Sequence, residues 1–401
     1  MNINKDNIIQ IAKSEFRRIF KDGGTILIMC IAVFLYGIFY MFPFSNHIVQ
    51  DVPIAVVDQD NSSMSRQLIR NLNSNQLIKV ADRPTTLVEA KESYYRNKIN
   101  GSIIIPKDFE QDIKRGKSVK VTAYEDSTYL IVYKQIAAGI IQTVGDFSNK
   151  IEIATLMKLG LSKDMAIHIK SPFELVDMPL YNPIGSYQNY IVPLICLLIL
   201  QQTMLIGSGM LGATIKEQIN GVKIWANGQI VNYKADKVNE ISDNPVEIVL
   251  GKAFAYVSLY FIYALMFMYL FPTLLVYKMT FNPSMFLILI PFLFCVAFLG
   301  QALVGLYTNR ENSLMILIIT SVPMIFEPGF VWPKESLPFL IKFIGFFVPT
   351  TPTSVGLVGI NQMGASFFMV QGSFLHLLFL TVLYFWCACK VVVNMQKSIK
   401  F

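Results

Sequence analysis

Six apolar runs punctuate the chain, at residues 24–44, 187–210, 253–277, 285–307, 313–326 and 372–393. A helix needs about 20 apolar residues to cross a bilayer core, so the pattern predicts six transmembrane helices. Pro323 and Glu327 cut the fifth run short. Residues 327–371 are mixed, and FLIKFIGFFVP within them (339–349) is too short to span. That region is expected to enter the membrane and return, as a re-entrant element.

The polar section at 45–186 follows another rhythm. Residues 54–57, 102–105 and 119–124 are short runs rich in Val and Ile, suited to strands. Met64, Leu68 and Leu72 recur every four residues, as a helix face requires. Further helices are expected at 86–98, from Pro106 to Gly116, and at 128–159, the last leading back toward the membrane. Alternating strands and helices predict a mixed α/β domain. The fold class is an α-helical polytopic membrane protein, with six transmembrane helices and an extracytoplasmic α/β domain between spans one and two.

Composition supports a membrane location. Charged residues make up 15% of the 401 positions and hydrophobic ones 53%; an average soluble domain has about 25% charged residues. The net charge is +7. Its lysines and arginines are not gathered into one basic domain, so a nucleic-acid partner is not expected. Many flank the apolar runs, where they set orientation. Lys5, Lys13, Arg17, Arg18 and Lys21 precede the first run, and Lys390, Lys397 and Lys400 close the last. Both termini and the 211–251 loop are then cytoplasmic, and 45–186 and 327–371 are external. The first run follows a basic stretch, as in a signal peptide. It is too long for one and lacks a cleavage site, so it reads as an uncleaved anchor. Residues 1–23 carry Ile8, Ile9, Ala12, Phe16 and Ile19 on roughly one helical face. Phe16, Arg17 and Arg18 thus mark a membrane-interface helix, with a frayed terminus as the alternative.

Candidate chemistry is sparse. All five cysteines, Cys30, Cys196, Cys295, Cys387 and Cys389, fall inside apolar runs and read as small hydrophobes. Asp58 and Asp60 suggest a calcium loop, but the sixth and twelfth positions are Ser63 and Ile69, not Gly and Glu. A turn before a helix capped by Asn61 or Ser62 fits better. Only His47, His168 and His376 could serve as imidazole bases, and they are scattered. Gly251–Lys252 lacks the rest of a phosphate-binding loop. No catalytic residue, metal or bound cofactor is expected, and any ATP-Mg belongs to a partner. Gln201, Gln202, Gln301 and Glu327 are candidate substrate-path residues, because polar groups in spans face the protein interior or water. Helix–helix hydrogen bonding competes with that reading. The 211–251 loop mixes charges with Val222, Ile224 and Trp225, which suits either partner docking or a membrane-surface helix.

AVVDQDNSSMSRQLIRNL followed by GSIIIPKDFEQDIKRG resembles the external domain of bacterial ABC-2 type transporter permeases, in the drug and lipid exporter branch. SEFRRIFKDGG, NPVEIVLGK and FVWPKESLPFLIKFIGFFVPTTP extend the resemblance in order along nearly the whole chain. It implies a permease subunit of an ATP-driven exporter in the bacterial inner membrane, moving a drug, lipid or other amphiphile outward. The implied partners are two separate ABC ATPase subunits and a second permease copy or sibling, with a periplasmic adaptor and outer-membrane channel as further candidates. It also implies a coupling element after the second span. There IKEQINGVKIW keeps Lys216, Glu217 and Gly221, and Trp225 closes the stretch, but the rest of the family pattern is lost and an insertion at about 225–244 follows. The competing role is a non-transporting envelope receptor or scaffold on the same frame.

Overall fold

A computed structural model describes residues 3–42, 49–170, 178, 180–181, 187–219, 225–226, 229–230, 241–274, 282–321, 323–329 and 332–400. The chain divides into a helical unit, Met1–Ser45 with Leu180–Phe401, and a second unit, Asn46–Pro179.

The helical unit opens with α1 (Lys5–Ile19) and the first membrane-length helix, α2 (Gly23–Met41). The second unit holds β1 (Val52–Asp58), α3 (Ser63–Asn73), β2 (Ile78–Asp82), α4 (Leu87–Tyr95), β3 (Gly101–Ile105), α5 (Phe109–Lys114), β4 (Thr122–Glu125), α6 (Leu130–Lys158) and α7 (Lys163–Lys170). Back in the helical unit come α8 (Tyr187–Ile219), a two-strand ladder of β5 (Trp225–Ala226) and β6 (Gln229–Ile230), α9 (Pro245–Leu274) and α10 (Pro283–Leu306). Then follow α11 (Arg310–Ser321), α12 (Pro323–Phe326), α13 (Phe339–Phe346), α14 (Thr350–Asn361) and α15 (Gln371–Lys400).

In this helical unit α10 is the centre of the core. Ile288, Leu289, Phe292, Leu293 and Val296 are fully buried, and α10 packs on α8, α9 and α15. Without an aqueous driving force between helices, close van der Waals packing must hold them. Gly212 of α8 sits against Val304, and Gly300 of α10 against Ser208, so neither position has room for a Cβ.

Among the described residues five helices are long and apolar enough to cross a membrane, and a sixth candidate is the pair α13 and α14, bent by 82°. This differs from the expected fifth span at 313–326. The helix there, α11, has 12 residues, about 18 Å at 1.5 Å per residue, against a core of about 30 Å. Pro323, which lacks an N–H, starts the next short helix. Contacts at helix ends show where this stretch begins and ends within the helical unit. The starts of α2, α9 and α11 and the ends of α8, α10 and α15 are tied together at one end of the unit, through Asp22 with Arg310, Lys216 with Gly305 O, and Gln396 with Asp243 O. Since α15 begins at the opposite end, the segment from Arg310 to Gln371 leads from one end of the helical unit to the other. It is assembled from α11, α12 and the bent pair rather than from one helix.

The second unit is a four-stranded sheet ordered β2-β1-β3-β4. β1 pairs in parallel with β2 and β3, while β4 runs antiparallel to β3. The central strand buries Ile54, Ala55, Val56 and Val57, as a strand covered on both faces must. Leu68 and Leu72 of α3 and Ile136 and Ile140 of α6 complete its core. β2 has no counterpart in the sequence reading. It is an edge strand on which only Ile78 is fully buried and Lys79 is exposed, so its apolar signal is weak. β4 begins at Thr122, later than expected. The helix anticipated from Pro106 starts at Phe109, because Asp108 adopts a left-handed φ of 59° that a helix cannot include.

The Asp58–Asp60 segment is a turn. Asp58 Oδ1 accepts from the backbone of Asp60 (3.1 Å) and Asn61 (2.9 Å), and Oδ2 accepts from Ser65 Oγ at 2.7 Å. Asp60 Oδ2 accepts from Glu110 N. Ser62, rather than Asn61, caps α3 by accepting from Ser65 N at 3.0 Å.

Because Asn46–Pro179 has its own core, we expect it to fold as an isolated fragment with cooperative urea unfolding. Leu68→Ala should lower its stability by about 2–5 kcal/mol. A non-cooperative melt, or no shift in midpoint, would refute an independent core.

Candidate functional site

The convergent helix ends carry a cluster of charged and polar contacts. Arg310 opens α11, and its guanidinium forks onto Asp22 with two contacts of 2.5 Å. Asp22 also caps α2 by accepting from Thr25 N at 2.7 Å. The backbone N–H of Arg310 donates to Glu217 Oε1 at 2.6 Å, so Glu217, near the end of α8, holds the start of α11. Its neighbour Lys216 donates to Gly305 O (2.8 Å) and Val304 O (3.3 Å), satisfying carbonyls at the end of α10. Lys216 and Glu217 were expected at a partner interface; their charged atoms are engaged inside this chain. Gly221 lies outside the described residues. Trp225 pairs with Ile230 in the small ladder.

A second ionic group sits beside the first. Glu15 is fully buried; Tyr256 donates to it, and Arg18 pairs with it at 2.9 Å. Burial pushes the Glu15 carboxyl up, but the charges of Arg18 and Lys252 and the Tyr256 hydrogen bond outweigh that and hold it below its usual value. The expected trio of Phe16, Arg17 and Arg18 is therefore split. Phe16 and Arg17 are exposed, whereas Arg18 turns inward and also reaches Leu211 O at 3.5 Å. The buried face of α1 is Ile11, Glu15 and Ile19, packed toward α9. Glu247, near the start of α9, clasps the other end of α1 by accepting from Asn4 N (2.7 Å) and Asn7 Nδ2 (2.9 Å).

The proposed path residues do not form one set. The helical rise puts Gln201 about 24 Å from Glu217 along α8. There its Oε1 accepts from Thr350 N, the first residue of α14, at 3.1 Å. Gln202 Nε2 lies 2.9 Å from Met324 Sδ. Glu327, three positions after Met324, is buried against Gly345 of α13. Gln201, Gln202 and Glu327 thus gather where α12 and the bent pair meet α8. Glu327 Oε2, Gln202 Oε1 and the hydroxyls of Thr350 and Thr351 are buried there without a hydrogen-bond partner among the described residues. Such groups cost about 1–3 kcal/mol each unless water or a ligand serves them, which suits a hydrated or ligand-holding site. Gln301 lies elsewhere. It donates to Val249 O (3.3 Å) and Ala297 O (3.2 Å) and braces α10 against α9.

Sequence reasoning missed Asp22, Glu15 and the structural role of Arg310. The available signal was an isolated charge at the edge of each apolar run. It also missed Met324 and the threonines after Pro349, which carry no charge.

Arg310 holds the Asp22 carboxyl well below the usual carboxylate range, chiefly by its hydrogen bonds. A depressed folded pKa stabilises the fold above the unfolded value of about 3.9, and that contribution is lost as pH falls through the folded value. Thermal unfolding of the purified chain should therefore show acid sensitivity below about pH 4 that Asp22→Asn lacks. At neutral pH Arg310→Met should cost about 1–3 kcal/mol, and adding Asp22→Asn should cost little more. Additive losses would mean the two groups are not coupled.

A sequence model of the ABC-2 family transporter proteins matches residues 24–390. No curated protein and no solved structure matches the chain. The match spans both units, from α2 into α15, and it accords with helices that cross a membrane several times and with the spans' convergent polar ends: the chain belongs to the ABC-2 transporter family, as a multi-pass membrane permease of an ABC system and not its ATPase.

Proposed function

We propose that the chain is the membrane subunit of an ATP-driven exporter in the bacterial inner membrane. Two copies, or one copy and a sibling, form the path, and two separate ATPase subunits carry ATP-Mg. The basic residues beside α1, Arg310 and the end of α15 favour a cytoplasmic position for the end that carries Asp22, Glu217 and Arg310. The Asn46–Pro179 unit, inserted between the first two membrane helices, is then external and available to a periplasmic adaptor.

One observation carries the coupling mechanism. The end of α8, the start of α11 and the start of α2 share the Glu217–Arg310–Asp22 network. An ATPase pressing on the segment that follows α8 would move three helix ends together. About 24 Å along this lever lie Gln201, Gln202 and Glu327; the unserved oxygens of Gln202 and Glu327 suit a path for amphiphiles. Outward transport then follows from alternating exposure of that region between the two permease copies as the ATPases close.

Orientation is tested by cysteines at Ser63 and Lys223 in cells with an opened outer barrier. Ser63→Cys should react with an impermeant maleimide and Lys223→Cys should not; the reverse result inverts the topology.

Coupling is tested with Glu217→Lys and with residues 215–225 replaced by a Gly/Ser linker. Both should reduce ATPase co-purification or ATP-driven transport at least tenfold, while the chain still inserts in the membrane. The purified permease alone should hydrolyse no ATP. Unchanged association and transport in both variants would remove this segment from the coupling mechanism and leave a scaffold role as the better account.

A further inference from the structure

An open groove of about 870 Å³ runs between α1 and α9. Its lining is mostly apolar and includes Ile8, Ile9, Phe16 and Phe254. Lys5, Lys13 and Arg17 are also lining residues, and no carboxylate is among them. None of these three cations forms an ion pair among the described residues, in contrast to Arg18 one position on. Lys13 and Arg17 stand one helical turn apart on the same face.

The groove reaches from the polar end of the helical unit into the span. Phe254 lies about 14 Å, and Ser258 about 20 Å, from the first residue of α9. Phe254 is 47% exposed although it belongs to a membrane-length helix. Cations and apolar residues alternate along the groove, so the occupant must offer an anion beside hydrocarbon. A partner helix would have to bring an unpaired carboxylate to the membrane boundary, which is costly. A phospholipid carries both parts already.

We propose that this groove binds one anionic phospholipid. Lys13 and Arg17 hold the phosphate, with Arg17 able to offer two parallel N–H groups. Lys5, nearer the start of α9, adds charge for the rest of the headgroup, and the acyl chains lie along Phe16 and Phe254 toward Ser258. This assignment does not depend on the chain being an exporter; a scaffold on the same frame would keep the groove.

The purified full chain is examined by native mass spectrometry with phosphatidylglycerol or phosphatidylcholine of identical acyl chains. One phosphatidylglycerol should be retained about tenfold more tightly than phosphatidylcholine. Lys13→Gln with Arg17→Gln should abolish the preference without altering thermal unfolding. Free glycerol phosphate should not compete, because the chains supply much of the binding. A phosphatidylglycerol with a photoreactive group in its acyl chain should label α1 or α9 in the wild-type protein, a readout that needs no variant. Equal retention of the two lipids, full retention by the double variant, displacement by glycerol phosphate, or labelling confined to other helices would each overturn the proposal.

Discussion

Arg310 holds the helical unit together at its polar end. Its guanidinium takes both oxygens of Asp22, and its backbone N–H is taken by Glu217. One residue thereby fixes the start of α2, the end of α8 and the start of α11. The arrangement answers a general constraint: helix ends leave unpaired backbone groups, and these cannot be left unserved beside hydrocarbon. Lys216 answers the same constraint for α10 by donating to the carbonyls of Val304 and Gly305. Charges that look like docking groups in the sequence are thus first of all caps. A partner acting on the segment after α8 would act on helices rather than on a free loop.

The membrane helices were legible where an unbroken run of about 20 apolar residues forces one answer. Legibility failed between Arg310 and Gln371, where proline interrupts the pattern and no single helix is long enough. Apolar content alone cannot say where such pieces pack; the contacts of Gln201 with Thr350 and of Gln202 with Met324 place them along the middle of α8. In the second unit β1 and β3 were plain because buried strands are continuously apolar. β2 was invisible because an edge strand with Lys79 and Asp82 carries little hydrophobic signal.

The candidate site was half legible for a related reason. A glutamine in a span is visible in any sequence, and Gln201, Gln202 and Gln301 were all singled out. What sequence cannot supply is which helix each one faces. Gln301 Nε2 meets backbone carbonyls of α9 and of its own helix, while its buried Oε1 has no partner among the described residues. Gln201 and Gln202 meet the broken segment, beside buried oxygens of Glu327, Thr350 and Thr351 that nothing in the described chain satisfies. Identical residue types at similar hydropathy therefore face different helices, which only their neighbours reveal.

The two faces of α1 carry this argument further. An amphipathic helix at a membrane surface is often held only by its apolar stripe. Here the inner face is latched. Ile11 lies against Gly251, where no side chain would fit. Glu15 is buried between Tyr256 and Arg18, and Arg18 reaches on to Leu211 O of α8. Glu247 clasps the N-terminal turn. Removing Glu15 would leave Arg18 without its carboxylate in a desolvated place, so the latch is costly to open. Helix α1 is thereby a bracket joining α9 to α8, not a tether. A displacement of the α8 end would thus be felt at α1 through the contact of Arg18 with Leu211 O.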